Sequence, residues 1–319
     1  MKLSCQLMVL LLLNCVLSAC DSGYKNTVNA NNLPAFISQK GHVYILTQDQ
    51  TRLEVNANIA ARISSLKIDG EELLLTADKT NNAVWGSVFW SSPQTEWSWP
   101  PIEVLDSAPY QVSVVDNRIV FTSKIDPDTG YQFIKSYSVD AEKKCITILY
   151  SIYNHSKQEK NIAGWEVTRL RPTGTAFFPQ GNTESTSGIF YPLAVEHVGD
   201  ITWAHYNAEN LLQNHHKLMT DGKEGWIAYT NAGKLLVKEF ADVPVELIVA
   251  GEGEIELFAN VEKTFWEIDQ QGVMSKLAPG EHLDWEVRWH TRTIPANISP
   301  AVGSEDLVNY VRGILKGAN

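Results

Sequence analysis

Residues 264–291 read TFWEIDQQGVMSKLAPGEHLDWEVRWHT, and they decide the fold class of this chain. Two runs within them, Thr264–Asp269 and Asp284–Thr291, alternate apolar and polar residues, a pattern typical of β-strands with one buried face. Between the two runs, Ala278-Pro279-Gly280 is a turn signal. The stretch therefore predicts two strands joined through a turn.

Strand-like runs of this kind recur along most of the chain. They are short, alternating or rich in β-branched residues, and are separated by turn signals such as Asp69-Gly70, Asp116-Asn117 and Asn231-Ala232-Gly233. We therefore predict an all-β fold in which large antiparallel sheets pack face to face. Further strands are predicted at His42–Thr47, Arg52–Val55, Ile59–Ile68, Glu72–Leu75, Tyr110–Val115, Arg118–Ser123, Tyr131–Val139, Cys145–Tyr153, Asn161–Leu170, Ile201–Ala204, Trp226–Thr230, Lys234–Glu239, Glu246–Ala250 and Ile255–Ala259.

Two segments are predicted to be helical. Asn207–Leu218 is short and rich in histidine. Ser304–Leu315 starts at a residue suited to cap a helix and carries an apolar stripe, so we expect a short C-terminal helix there. The stripe consists of Leu307, Val308, Val311, Ile314 and Leu315.

The N-terminal segment resembles that of bacterial lipoproteins. Lys2 precedes an apolar run, Leu7–Leu13, which is too short to span a membrane and suits a signal peptide over residues 1–19. Leu17-Ser18-Ala19-Cys20 resembles a lipobox, although an ordinary secretory signal is the alternative. We expect lipid on Cys20 to anchor the protein to a membrane of the bacterial cell envelope, facing the periplasm. Residues 20–33 are then a flexible tether, and residues 34–319 form a single β-sandwich domain.

The composition argues against several partners. The chain has 26 Lys and Arg against 37 Asp and Glu, and its net charge of −11 is a poor match for nucleic acid. Once the signal is removed and Cys20 is lipidated, Cys145 is the one remaining cysteine, which we expect to be a small buried residue. No spacing of histidines and acids predicts a metal site, and no motif predicts a cofactor.

A second stretch, residues 85–101, reads WGSVFWSSPQTEWSWPP and holds four of the ten tryptophans. Its three prolines cannot donate to a sheet ladder, so most of it is expected to be an ordered surface loop. Sugars offer C–H faces that stack on such rings, and hydroxyls that bond to polar neighbours. Trp90, Gln94, Trp97 and Trp99 are therefore predicted to bind substrate; alternatively, these rings plug one end of a sheet sandwich.

Two segments resemble the galactose mutarotase-like superfamily. AARISSLKIDGEELL at residues 60–74 looks like the opening hairpin of that superfamily. FWEIDQQG at 265–272, followed by LAPGE at 277–281 and WEVRW at 285–289, looks like its closing hairpin. The resemblance covers most of residues 40–292. It implies a large antiparallel β-supersandwich whose concave face binds a hexopyranose.

The resemblance also implies catalytic roles. In aldose mutarotases a glutamate takes the proton of the anomeric hydroxyl and a histidine protonates the ring oxygen; Glu267 is the best match for the glutamate. The strand expected to carry the histidine, Trp165–Arg169, has none. The acid is then Glu166, if burial raises its pKa, or one of three histidines elsewhere, His155, His197 and His205. The adjacent His215 and His216 are expected to be surface residues, and the predicted substrate-binding set is completed by Arg62, Trp165 and Arg169.

Three functions fit these observations. The first is a lipid-anchored carbohydrate-binding protein without chemistry, which the missing histidine favours. The second is a sugar epimerase or mutarotase-type isomerase with Glu267 as general base, which the overall architecture favours. The third is an envelope lipoprotein whose tryptophan-rich loop docks a protein partner.

Overall fold

The structure is a computed structural model and describes residues 33–80 and 84–317. The predicted signal peptide, Cys20 and all but the last residue of the predicted tether lie outside the described residues. Across the described part, strands dominate and the longer of two helices lies near the C-terminal end. This confirms the predicted all-β fold with a short C-terminal helix.

The strands are mostly short and follow one another through tight turns. In chain order they are β1 (Ile37–Lys40), β2 (Val43–Gln48), β3 (Thr51–Asn56), β4 (Arg62–Ile68), β5 (Glu71–Glu72), β6 (Ser87–Ser92), β7 (Gln111–Val115), β8 (Arg118–Thr122), β9 (Tyr131–Asp140), β10 (Cys145–Asn154), β11 (Lys160–Leu170), β12 (Thr175–Pro179), β13 (Tyr191–Pro192), β14 (Glu196–Val198), β15 (Ile201–His205), β16 (His216–Thr220), β17 (Trp226–Asn231), β18 (Lys234–Glu239), β19 (Ile255–Ala259), β20 (Trp266–Gln271), β21 (Ser275–Leu277) and β22 (His282–Thr293). The helices are α1 (Glu103–Asp106) and α2 (Glu305–Leu315).

The strands form two large sheets. The first has twelve strands in the order β1-β2-β3-β4-β6-β11-β20-β19-β16-β13, with β5 paired to β4 and β21 to β11. The second has ten strands in the order β14-β15-β12-β17-β18-β22-β10-β9-β8-β7. Pairing is antiparallel except between β13 and β16, which are parallel. The antiparallel supersandwich expected from the resemblance is therefore confirmed.

The main hydrophobic core lies between the two sheets. The alternation predicted for Asp284–Thr291 is present, because Trp285, Val287 and Trp289 of β22 all belong to this core. Each large apolar side chain buried in this way contributes roughly 1.5–3 kcal/mol to stability. The hairpin of β4 and β5 turns at Asp69 and Gly70, both with positive φ, as a tight hairpin turn requires.

The closing stretch differs from the predicted hairpin. β20 belongs to the first sheet and β22 to the second, so the two do not pair with each other. Between them, β21 pairs with the start of β11 before the chain turns at Gly280. The stretch therefore crosses from one sheet to the other. The predicted turn is present, but long-range packing selects the strand with which each strand pairs.

Helix α2 covers the outer face of the second sheet. Ser304 caps it, with the side-chain oxygen accepting a hydrogen bond from the backbone N–H of Leu307 at 3.3 Å. Leu307, Val311 and other residues of the predicted stripe pack on a cluster that includes Phe177 and Trp226 of the second sheet. No helix within residues 33–80 and 84–317 is long and apolar enough to cross a membrane.

Two local predictions were wrong, and a third holds only in part. Asn207–Leu218 is not a helix: it contains a short 3-10 turn at Ala208–Asn210, and its end lies in β16. Glu246–Ala250 was predicted as a strand but overlaps a 3-10 turn at Val245–Leu247. In the tryptophan-rich stretch, the loop begins only at Pro93, because Ser87–Ser92 forms the buried strand β6. Cys145 is buried, as predicted.

Candidate ligand-binding cavity

A cavity of about 880 Å³ lies on the outer face of the first sheet. Its floor is formed by β6, β11, β20, β19 and β16, whose outward side chains enter it. Loops at the strand ends form its walls. The lining residues are Asp78, Lys79, Thr80, Val84, Trp90, Gln94, Trp99, Trp165, Arg169, Phe190, His215, Lys217, Phe258, Asn260, Glu262, Thr264, Phe265, Glu267 and Asp269.

The register of the sheet places charged groups side by side across this floor. Arg169 on β11 lies opposite Glu267 on β20, Glu267 lies opposite Phe258 on β19, and Phe258 lies opposite Lys217 on β16. Because successive residues of a strand point to opposite faces, Asp269 shares the outward face with Glu267. The outward face thus combines cations, carboxyl groups and an aromatic ring.

Three tryptophans form one end of the cavity. Trp90 packs edge-to-face against Trp165 and Trp99, with centroids 5.3 and 6.2 Å apart. The guanidinium of Arg169 lies 5.1 Å from the Trp90 centroid, which is cation–π geometry. Trp99 is 60% exposed and forms the rim, whereas Trp90 and Trp165 are mostly buried. Among the described residues, the buried indole N–H of Trp165 has no hydrogen-bond partner.

Two ion pairs stabilise the charged side chains of this face. Arg169 Nε lies 2.8 Å from Glu267 Oε1, and Lys217 Nζ lies 2.6 Å from Glu256 Oε2. Burial raises the pKa of Glu267 on balance, although Arg169 and Lys217 act against it. Burial alone would lower the pKa of Lys217, but Glu256 outweighs it and the net shift is upward.

Asp269 differs from these carboxylates because no ion pair within 4 Å is found for it in the described part of the chain. Its Oδ1 accepts a hydrogen bond from the backbone N–H of Thr168 at 3.1 Å, and the residue is almost fully buried. Burial, with Glu267 and Glu256 nearby, raises the pKa of Asp269 well above its usual range. These surroundings favour the protonated form of Asp269.

A carboxylate clamp fixes the loop that carries Gln94. Glu252 accepts hydrogen bonds from the backbone N–H of Gln94 at 2.9 Å and from the side-chain amide of Gln271 at 2.7 Å. Ser92 also donates to Glu252. The loop is thereby tied to β20, so the Gln94 side chain is presented to the cavity from a fixed backbone.

Six of the nine residues predicted for catalysis or substrate binding line the cavity. They are Trp90, Gln94, Trp99, Trp165, Arg169 and Glu267. Glu166 does not, because it follows Trp165 on β11 and points to the opposite face. There it pairs with Lys238 at 2.8 Å and accepts a hydrogen bond from Tyr150 at 2.6 Å. Glu166 thus lies between the sheets without access to a ligand in the cavity, contrary to its predicted catalytic role.

Arg62 and Trp97 lie behind the cavity and do not line it, contrary to their predicted substrate-binding role. Arg62 is buried and pairs with Asp106 at 3.0 Å. The other oxygen of Asp106 accepts a hydrogen bond from Trp90 Nε1 at 2.7 Å, so Arg62 supports a ring that does line the cavity. Trp97 packs against Trp90 and donates from Nε1 to the carbonyl oxygen of Ser91 at 2.9 Å. Both residues fix the position of Trp90.

Three further lining residues were not predicted from the sequence: Lys217, His215 and Asp269. His215 lines the cavity and His216 is only 4% exposed, so the expected surface pair was wrong. The ring of His215 stacks on Phe258, and its Nδ1 accepts a hydrogen bond from the backbone N–H of Val261 at 3.2 Å. His155, His197 and His205 do not line the cavity. The alternation of β20 was the signal for Asp269, because it lies two positions after Glu267.

The chain shares the fold of galactose mutarotase-like proteins, as the sequence resemblance implied. A galactose mutarotase-like protein from Lactobacillus casei ATCC 334 superposes with a TM-score of 0.54 at 12% identity, over 78% of this chain and all of that one. A putative aldose 1-epimerase from Escherichia coli K12 gives 0.52 at 12% identity, over 79% and 99%.

The chain belongs to the family described as a domain of unknown function, DUF4380, whose model matches residues 43–292. A TPR-domain containing protein from Parabacteroides distasonis ATCC 8503 superposes with a TM-score of 0.57 at 15% identity, over 80% of this chain. The chain spans about half, 48%, of that larger protein. No curated protein matches the sequence.

Proposed function

We propose that this domain binds a carbohydrate, a mono- or oligosaccharide, in the cavity on the first sheet. The observation that carries the proposal is the arrangement of the lining: the indoles of Trp90, Trp99 and Trp165 stand directly beside Arg169 and Glu267. A pyranose has apolar C–H faces and a rim of hydroxyls, so it matches aromatic walls next to charged hydrogen-bonding groups. A cavity of about 880 Å³ is large enough for more than one sugar unit.

A glycan array tests the proposal, with Trp165→Phe as the main variant because it replaces an indole that lines the cavity by a smaller aromatic ring. Trp285→Phe is the matched control: Trp285 also has a buried N–H without a partner among the described residues, but it lies in the core between the sheets. We expect sugar binding by the wild type, binding weakened about tenfold by Trp165→Phe and unchanged by Trp285→Phe. An array without any bound glycan would contradict the proposal.

We also propose that the domain is held at a bacterial envelope membrane through lipid on Cys20, with the cavity in the periplasm. The proposal rests on Leu17-Ser18-Ala19-Cys20 at the end of the predicted signal. Metabolic labelling with an alkyne fatty acid should label the wild type, whereas Cys20→Ser should remain unlabelled and leave the membrane fraction. Equal membrane association of both would overturn the lipid anchor.

A second candidate function is anomer exchange, favoured by the two neighbouring carboxyl groups of β20. Ring opening requires one group to take the proton of the anomeric hydroxyl and another to give a proton to the ring oxygen as the C1–O bond breaks. Glu267, paired with a cation, suits the base, and Asp269, which has none, suits the acid. Burial raises the pKa of both groups, but the Arg169 guanidinium favours the charged form of Glu267, so Asp269 is the group more inclined to hold a proton.

NMR exchange spectroscopy of free hexoses tests this second candidate. We expect wild-type protein to accelerate anomer exchange, and both Glu267→Gln and Asp269→Asn to abolish the acceleration while the protein stays folded. If wild-type protein gives only the uncatalysed rate for every sugar that it binds, the cavity is a binding site without this activity.

A further inference from the structure

A second cavity of about 550 Å³ adjoins the first on the same face of the first sheet. It lies over β3 and β4, whereas the first lies over β6, β11, β20, β19 and β16. Asp78 and Lys79, in the turn after β5, line both cavities and form a shared wall. Since β4 and β6 are neighbours in the sheet, the two cavities follow one another across it.

The aromatic rings of the two cavities are held in one rigid arrangement. Trp85 lines the second cavity, and the guanidinium of Arg62 lies 4.7 Å from its centroid. Arg62 pairs with Asp106 at 3.0 Å, and Asp106 accepts the indole hydrogen bond of Trp90, which lines the first cavity, at 2.7 Å. A fixed spacing between two rings suits a ligand with repeating units.

The second cavity resembles the first in combining an aromatic ring with polar and charged side chains. Besides Trp85 it presents Asn56, Ser64, Lys67 and Arg171, which together offer hydroxyl, amide and cationic donors. Arg171 is only loosely paired, at 3.7 Å from Glu71, and is partly exposed. The cavity opens broadly to solvent, so a ligand that starts in the first cavity can continue through it.

We infer that the two cavities form one cleft that binds a linear oligosaccharide, with the first sugar unit in the tryptophan-lined cavity and later units over β3 and β4. This inference rests on the proposed sugar-binding function and names its ligand class. A single hexose would use only the first cavity.

Calorimetric titration with linear cello-, malto-, xylo- and chito-oligosaccharides, from the single sugar to the hexasaccharide, tests the cleft. For the series that binds, we expect affinity to increase at least about tenfold from the single sugar to the tetrasaccharide. The double variant Lys67→Ala, Arg171→Ala should remove that gain without weakening the single sugar. Ser64→Tyr, which places a ring in the second cavity, should do the same by obstruction.

Lys40→Ala is the matched control, because Lys40 is an exposed cation on β1 of the same sheet and does not line the second cavity. It should leave both affinity and its increase with length unchanged. Equal affinity for short and long chains, or a length effect that survives both second-cavity variants, would overturn the single cleft while leaving sugar binding intact. Failure of every series to bind would overturn the cleft and the proposed function together.

Discussion

Two glutamates on the central strands of the first sheet form buried ion pairs that have nearly the same geometry but different surroundings. On the inner face, Lys238 reaches across from the second sheet to Glu166 at 2.8 Å, and both side chains are fully buried. On the outer face, Arg169 meets Glu267 at the same distance, with 12% of the glutamate side chain exposed. Neither the length of an ion pair nor its burial therefore distinguishes a structural pair from a ligand-facing one.

What distinguishes them is the set of further partners. Glu166 also accepts hydrogen bonds from Tyr150, Gln270 and Trp289, at 2.6, 2.7 and 3.1 Å, so protein donors surround the inner carboxylate. For Glu267, Arg169 is the one side-chain hydrogen-bond donor found among the described residues. The carboxylate otherwise lines the cavity. The outer carboxylate can thus accept hydrogen bonds from a ligand, and the inner one cannot.

The largest expected effect comes from breaking the inner pair. Lys238→Met leaves Glu166 buried without its cation, so we expect the free energy of unfolding to decrease by about 3–5 kcal/mol, measured by urea denaturation. The double variant Glu166→Gln, Lys238→Met removes both charges and should recover a large part of that loss. A single variant as stable as the wild type would show that the inner pair is not structural.

The outer pair should matter less for stability and more for binding. Glu267→Gln keeps the shape and removes the charge, so we expect a loss of about 2 kcal/mol in unfolding free energy, because part of the carboxylate faces the cavity. The same variant should bind the array glycan at least about tenfold more weakly. Thermal unfolding and calorimetric titration measure the two effects, and a loss as large as that of Lys238→Met would erase the distinction.

The pH dependence of stability gives a finer test of the outer face. In the unfolded chain Asp269 titrates near its usual pKa of about 3.9, whereas in the folded protein it keeps its proton to higher pH. The folded state therefore binds more protons in this window, and the contribution of Asp269 to stability decreases as pH rises. The charged groups that act on it are Glu267, Glu256, Lys238 and Lys217.

Asp269→Asn imitates the protonated acid, so it should remove the decrease in stability with rising pH. Measured from pH about 4 to about 8, its unfolding free energy should rise relative to wild type by at least about 1 kcal/mol. A difference between Asp269→Asn and wild type that stays constant with pH would mean that Asp269 is ionised in the folded protein.

The smallest stability change is expected at the rim. Trp99→Ala removes an exposed ring, so the unfolding free energy should change by less than about 0.5 kcal/mol while glycan affinity falls severalfold. Trp97→Ala is the buried counterpart and should destabilise by about 3–5 kcal/mol. Unchanged glycan affinity for a folded Trp99→Ala protein would place the rim outside the binding site.

The fold class was predictable because hairpin strands alternate and helix α2 has an apolar stripe. Prediction failed where both faces of a strand are buried. Every residue of β6 is buried, so Ser87–Ser92 shows no alternation, and its flanking prolines suggested a loop. The last nine residues of β11 are also buried, which hid the fact that Glu166 and Arg169 point to opposite faces.

Part of the candidate site was also predictable from the sequence. Trp90, Trp99 and Gln94 stood out by composition, and Glu267 by resemblance, and all four line the cavity. Lys217 did not stand out, because the histidine-rich segment around it was taken for a helix. The crossing of the closing stretch from one sheet to the other could not be predicted either. The sequences of β20 and β22 indicate strands, but they do not indicate which strands these pair with.

Helix α2 has a practical consequence for experiments on immobilised protein. It packs on the outer face of the second sheet, and the cavity opens on the outer face of the first. A biotin or fluorophore attached at the exposed Lys316, just after α2, would therefore sit on the far side of the molecule. A sensor surface coupled there would leave the cleft facing the analyte.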